Sequence, residues 1–211
     1  MLIAHGGPRG PRNSISSSGV NAVLKEDCVG AIKFILWRSL AAAYAEALTY
    51  TLLGGTNLTI DDSYFMSEAL KLAEMSALEG EIPVGTVIAR GGRIIATGRN
   101  RRELGKNSLA HAELEAINNA CKVLGGWRLW ECDLFVTLEP CPMCAGAIIN
   151  ARINRVVFGA SDPKAGSCGS VVNLFDKPYN HKPEAVSGVL EAECAQILTD
   201  FFRTLRAKRA R

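Results

Sequence analysis

From Asp61 onward the apolar residues follow a regular rhythm. Phe65, Ala69, Leu72, Ala73 and Met75 recur at three- and four-residue steps. This predicts an amphipathic helix capped by Asp62 or Ser63 and stopped by Gly80. Two strand-like runs follow, Thr86–Ala89 and Arg93–Thr97, joined through Gly91-Gly92 as in a hairpin. A second helix is expected from about Ala110 to Leu124, ended by Gly125-Gly126. Asp133–Leu138 then reads as a short apolar strand, Cys141–Ala151 as a helix and Arg155–Phe158 as another strand. The alternation of strand and helix over residues 93–158 predicts crossover connections and parallel pairing in that half. Residues 159–188 are rich in Gly, Ser, Asp and Pro, so they are expected to be mostly loop, with one more strand or helical turn at most. A last helix, Leu190–Leu205, carries Ile197, Leu198, Phe201, Phe202 and Leu205 before a basic end. These elements predict an α/β fold, a three-layer α/β/α sandwich on a mixed sheet.

The first 60 residues have a different texture. Arg9, Arg12 and Lys25 occur with four serines between Ser14 and Ser18, and no acid precedes Glu26. Such an acid-free stretch suits a flexible leader, an organelle transit peptide or a start assigned too far upstream. A secretory signal fits less well, since no compact apolar stretch follows the charged start. The apolar region from Val29 to Leu53 is broken by Lys33, Arg38 and Glu46, which argues against a transmembrane helix and leaves a loose helix through Ser39–Leu53. Two regions are therefore expected: an N-terminal extension, 1–60, poorly ordered or loosely helical, and a folded domain, 61–211.

Composition narrows the class. With 48% apolar and 21% charged residues among 211, the chain is neither disordered nor fibrous. Seven cysteines, an odd number with two in a C-x-x-C, read as metal ligands or free thiols and not as a disulfide scaffold. The net charge of +3 is too small to name a nucleic-acid partner, but its distribution is uneven. Residues 61–202 hold 14 basic and 18 acidic side chains, whereas 203–211 add five basic residues and no acid. Such a tail is either a solvated helix end whose cations suit the dipole or a phosphate contact.

The chemistry concentrates in two fragments, Ala110-His111-Ala112-Glu113 and Glu139-Pro140-Cys141-Pro142-Met143-Cys144, with Asn100 upstream. Cys141 and Cys144 are three apart, which puts both sulfurs on one face of a helical first turn. Pro142 suits that first turn, so the thiols sit where the helix dipole favours thiolate, the form a metal needs. His111 likewise stands where a helix begins, with Ser108 as a cap. Two cysteines and a histidine give three zinc ligands, and a catalytic site leaves the fourth place to water. A structural site would instead fill it with protein, and Cys168 or Cys132 could do so. Glu113 would point away from His111 in a regular helix, by about 200° of rotation. Where the first residue is not yet helical, both side chains can face one pocket, and a carboxylate there would carry protons for a metal-activated water. Cys28, Cys121 and Cys194 read as small apolar residues.

The pair H-x-E and P-C-x-x-C matches the signature of zinc-dependent nucleobase deaminases. More narrowly, four stretches resemble bacterial-type tRNA-specific adenosine deaminases: Glu81-Ile82-Pro83-Val84-Gly85, His111-Ala112-Glu113, Val136–Ala147 and Arg155–Ala160. The resemblance covers roughly Ser63 to Leu205, and residues 1–60 have no counterpart in it. It implies a cytidine-deaminase-like fold, a homodimer, one zinc per chain and conversion of the wobble adenosine of a tRNA anticodon to inosine. By the same resemblance His111, Cys141 and Cys144 would hold zinc, and Glu113 would move protons between water, the adenine ring and the leaving ammonia. Asn100 would hold the flipped base, Ile82 would wall the pocket, and the Ala112 and Cys141 amides would donate into it. Asp162 and Lys164 would meet the anticodon backbone, and Phe202 and Arg203, at the start of the basic tail, would contact RNA. The expected location is the cytoplasm, or an organelle if residues 1–60 are a transit peptide.

Two rivals share these residues. A sister deaminase of a free base or nucleotide, such as guanine or deoxycytidylate, would keep the same zinc site but have less use for the 159–188 loop and the Phe201-Phe202-Arg203 helix end. A zinc module serving only as an RNA-binding subunit would have no use for Glu113.

Overall fold

The computed structural model describes residues 61–209. The expectations for residues 1–60, including the helix through Ser39–Leu53 and the place of Cys28, lie outside the described residues. The described elements are α1 (Asp62–Leu78), β1 (Gly85–Arg90), β2 (Arg93–Arg99), α2 (Ala112–Leu124), β3 (Cys132–Leu138), α3 (Pro142–Ala151), β4 (Arg155–Ala160), β5 (Glu184–Ser187) and α4 (Glu191–Arg209). Among them no helix is long and apolar enough to cross a membrane.

The strands form one mixed sheet in the order β2-β1-β3-β4-β5. β1 runs antiparallel to both β2 and β3, while β3–β4 and β4–β5 are parallel. The parallel pairing expected from the sequence therefore holds from β3 onward, but β2 and β3 are not neighbours. The tight hairpin fixes β1 beside β2, so the crossover through α2 must carry the chain past β1 before β3 can pair.

Alternation along the strands sorts the core into two layers. Val87, Phe135 and Val157 lie side by side on one face and pack with Phe65, Met66 and Ala69 of α1 and Cys194 of α4. Phe65 stacks on Phe135 with ring centroids 4.7 Å apart. Ile88, Leu134 and Val156 occupy the other face, against Ala116 and Ala120 of α2 and Ala145 and Ile148 of α3. The three-layer sandwich expected from the sequence is the observed architecture.

Local differences have local causes. Asp61 caps α1, accepting from the Ser63 N–H at 3.4 Å, one residue before the earlier of the two expected caps. Met75 is exposed, not buried as the apolar rhythm suggested. Its neighbour Ser76 takes the inward place, because its hydroxyl donates to the Asn100 carbonyl at 3.2 Å and so satisfies a buried polar group. Ile148 and Ile149 are both buried in this chain's own core.

One contact sets the position of α2. Gly98 of β2 faces that helix so closely that a Cβ there would collide with the Ala112 carbonyl and the Ala116 amide. The absent side chain, together with the small buried residues Ala112, Ala116 and Ala120, lets the helix rest on the strand backbone. Glu115 fastens the same end by accepting from the Arg99 N–H at 3.0 Å. Gly98→Ala is therefore expected to destabilise the domain by about 2 kcal/mol through overpacking. It should also lower bound metal, because the displaced helix begins directly after His111. Chemical denaturation and metal analysis of the purified variant check both effects.

Candidate active site

The sheet topology gathers four chain segments at one end. β3 is parallel to β4 and antiparallel to β1, so residues before β1, after β2, after β3 and after β4 all emerge there. They are Ile82 and Val84, Asn100 and Arg102, Leu138, Glu139 and Cys141, and Asp162 and Ala165, and together with His111, Ala112 and Glu113 they line a pocket of about 160 Å³. Placement of a site beyond the carboxyl ends of parallel strands is the usual arrangement in open α/β sheets.

Two helix starts meet in this pocket. His111 precedes α2 in extended conformation (φ −82°, ψ 152°), and Cys141 precedes α3 in the same way (φ −72°, ψ 172°). Each occupies the cap position without capping its helix through its side chain. His111, not Ser108, is thus the residue at the cap of α2. The freed side chains turn toward each other. His111 Nδ1 lies 3.6 Å from Cys144 Sγ and 3.8 Å from Cys141 Sγ, and the three ligand atoms are all within 4.8 Å of one another. Zinc–sulfur and zinc–nitrogen bonds of about 2.3 and 2.0 Å in a tetrahedron place N and S roughly 3.6 Å apart. The three residues therefore fit a zinc ion by spacing as well as by donor type.

The protonation of these groups follows from their closeness. The Cys141 thiol is held down at about 4, chiefly by a hydrogen bond from Cys144 and then by His111, with burial opposing. Cys144, as the proton donor of the pair, is pushed up. His111 is raised by its hydrogen bond to Cys141, again against burial. Their closeness favours the thiolate at Cys141, the form a cation needs, and binding one would displace the remaining protons.

No other cysteine among the described residues joins it. Among the described residues only His111, Cys141 and Cys144 converge as a His/Cys/Asp/Glu metal cluster. Neither Cys132 nor Cys168, the two residues considered for a fourth ligand, belongs to that cluster. Cys132 starts β3, six residues before Leu138 and so about 20 Å away along an extended strand. Cys168 is buried nearby, outside the cluster, its thiol pushed up to about 12 by burial.

Glu113 is also buried, and it lines the pocket with His111. The extended backbone at His111 removes the rotation that would otherwise separate residues 111 and 113. Burial pushes the Glu113 carboxyl up, partly offset by its own backbone N–H. The arrangement joins a metal-competent cluster to a carboxyl able to take and return a proton within one small pocket.

Asn100, 6% exposed, donates its amide to the Ile82 carbonyl at 3.2 Å and to Glu81 Oε2 at 3.3 Å. Ile82 lines the pocket as expected, and Ala112 and Asp162, expected as a backbone donor and as an anticodon-backbone contact, line it too. Lys164, Phe202 and Arg203 do not line it. Lys164 is exposed, its backbone N–H bonded to Asp162 Oδ1, and Arg203 pairs with Asp200 at 2.6 Å on the exposed side of α4.

Three residues of the site were not singled out from the sequence. Glu81 is fully buried and accepts from the backbone N–H groups of Glu103 (3.2 Å) and Leu104 (2.6 Å). Glu139 is buried and accepts from those of Asp162, Cys168 and Ser170. A lone carboxylate among apolar neighbours, as in Gly80-Glu81-Ile82-Pro83-Val84, is the signal that could have found the first. Arg102 lines the pocket with no comparable signal in the sequence.

The MafB19-like deaminase family matches residues 60–206. A tRNA-specific adenosine deaminase of Bacillus subtilis (strain 168) is 51% identical over 149 residues, covering 70% of this chain and 92% of that protein. Its counterpart in Streptococcus pyogenes serotype M18 is 46% identical over 150 residues, covering 71% of this chain and 94% of that protein. Among solved structures, a tRNA:A34 deaminase that carries out A-to-I editing at the wobble position superposes with a TM-score of 0.63 at 46% identity, covering 64% of this chain and 99% of that one. A guanine deaminase from Nitrosomonas europaea superposes with a TM-score of 0.55 at 25% identity, covering 66% of this chain and 83% of that one. By the extent of these matches, the chain belongs to the MafB19-like deaminases and, within them, to the family of tRNA-specific adenosine deaminases.

Proposed function

We propose that this chain hydrolyses the wobble adenosine of a tRNA anticodon to inosine, with release of ammonia. The observation that carries the reading is the buried Glu113 carboxyl in the same pocket as the His111, Cys141 and Cys144 cluster. The free-base or nucleotide alternative is supported by matches at 25% and 34% identity, against 51% for a tRNA-specific relative.

His111, Cys141 and Cys144 are the residues to hold zinc, one ion per chain. When bound, zinc lowers the pKa of water from 15.7 toward about 7 and so supplies hydroxide at neutral pH. Glu113 accepts a proton from the attacking water and delivers protons to the adenine ring and to the departing amino group. Water adds its oxygen at C6, the C6–N bond breaks, and the balance is adenosine plus water giving inosine plus ammonia. Asn100 and Ile82 bind and orient the extruded base, and the Ala112 and Cys141 backbone N–H groups donate into the pocket. Ile82, Val84 and Leu138 give the pocket an apolar wall, where a low local dielectric strengthens these polar contacts.

At the pocket rim Asp162, and beyond it Lys164, contact the anticodon backbone. Phe202 and Arg203 extend that contact onto α4, where Arg206, Lys208 and Arg209 continue the positive charge. We assign residues 61–211 to the deaminase domain and residues 1–60 to an extension outside it, in a cytoplasmic enzyme. The protein acts as a homodimer. Ile148 and Ile149 are committed to the core, so they do not serve that interface. The half-buried side of α3 at Met143, Gly146 and Ala147 is the surface offered instead. Light scattering at micromolar concentration should give twice the chain mass, and a monomer there refutes the dimer.

Incubation with an arginine tRNA transcript carrying A at the wobble position should yield inosine on sequencing. No ammonia should form from guanine. Glu113→Ala should retain zinc, fold and RNA affinity while lowering turnover by about 10⁴-fold, the upper range for a general acid–base group. Loss of zinc in that variant would make Glu113 a ligand and overturn its assignment. Cys141→Ala and Cys144→Ala are expected to lose zinc and stability together, since metal binding at a folded site is linked to folding. A full complement of zinc in either, by elemental analysis, refutes the ligand set.

A further inference from the structure

Glu139 is a buried carboxylate that the proposed reaction does not use. It lies between the end of β3 and the ligand Cys141, is 2% exposed, and lines the pocket. Its Oε2 accepts from the Asp162 N–H at 3.0 Å, and its Oε1 from the N–H groups of Cys168 at 2.9 Å and Ser170 at 3.0 Å. The Ser170 hydroxyl donates to Oε2 as well. A carboxylate offers about four lone-pair positions, so these four donors fill it. It has no acceptor left for substrate or for a travelling proton.

All four donors belong to one loop, residues 162–170, which the carboxylate holds at both ends. Gly166, at the middle of that loop, lies so close over Oε2 that any side chain there would strike the carboxylate. Two further bonds close the unit: the Ser167 N–H donates to the Pro140 carbonyl at 2.9 Å, and the Gly166 N–H to the Asp162 carbonyl at 2.8 Å. The loop carries Asp162 and Ala165 into the pocket wall.

We propose that Glu139 is a positioning residue that holds the 162–170 loop, and with it Asp162 and Ala165, as a preformed wall for the RNA substrate. The inference rests on the reading of the pocket as an RNA-editing site. With the clamp in place the loop is ordered before substrate arrives. Without it, binding must order the loop at that moment, and the cost falls on substrate capture more than on the chemical step.

Glu139→Gln tests this, because it keeps shape while placing an amide group among donors that need an acceptor. Its zinc content, hydrogen exchange over residues 162–170, and steady-state kinetics on an anticodon stem-loop RNA with wobble adenosine are measured beside the unsubstituted protein. The expected result is unchanged zinc and faster loop exchange. KM should rise about tenfold, equivalent to roughly 1.4 kcal/mol, while kcat falls less than about threefold. Ser170→Ala removes only the hydroxyl bond and should raise KM by about threefold, which keeps the test open if Glu139→Gln fails to fold. A fall in kcat at unchanged KM, loss of zinc, or loop exchange equal to that of the unsubstituted protein overturns the proposal. Absence of inosine with the unsubstituted protein refutes the editing reading instead. The loop-exchange comparison then still decides whether Glu139 is the clamp.

Discussion

Convergence of two helix starts on one point is the constraint from which the rest of this domain follows. α2 and α3 each present an extended residue, His111 and Cys141, at the position where a helix normally receives a polar cap. Neither side chain caps its helix, and the positive helix ends face the cluster, with the Cys144 N–H bonded to the Cys141 sulfur and the Glu113 N–H to its own carboxyl. That field favours the Cys141 thiolate and hence the binding of a cation. The extended backbone at His111 also brings Glu113 to the same pocket, so the proposed metal ligand and the proposed proton carrier depend on one local conformation.

Holding two helices in that relation requires close packing far from the chemistry. Gly98 lets α2 rest directly on β2, and the apolar row Ile88, Leu134 and Val156 carries both α2 and α3 on one face of the sheet. At the other end of the sheet, Arg155 bridges Asp62 of α1 at 2.8 Å and Asp133 of β3 at 3.1 Å. These side chains are about a quarter to a third exposed, so the bridge does more to fix α1 against the strands than to add net stability.

The loops around the pocket are governed by two buried carboxylates of similar design. Glu81 holds the backbone at residues 103 and 104 and touches Asn100, while Glu139 holds residues 162–170. In each case the charge is offset by several short backbone bonds, which repay the desolvation of the carboxylate. Burial alone would raise the Glu139 carboxyl, but the bonds from Ser170, Asp162 and Cys168 outweigh it and hold it below its ordinary value. The segments at residues 103–104 and 162–170 are thus tied to the end of the sheet where the pocket lies.

The sequence by itself determined the elements, the three-layer class and the metal cluster, because each of these is a local or short-period property. Helical and strand rhythm survive in the chain, and H-x-E and P-C-x-x-C need only a few residues to be read. Local spacing could not decide which strand lies beside which, and β1 stands between β2 and β3 only because a hairpin precedes the crossover. Nor could it show that Ser76 turns inward in place of Met75, or that Asp162 lines the pocket itself. The parts played by Glu81 and Glu139 were hidden for the same reason. Their partners are backbone amides about 20 to 30 residues away, which carry no side-chain identity to read, so only the folded chain reveals what a buried carboxylate holds.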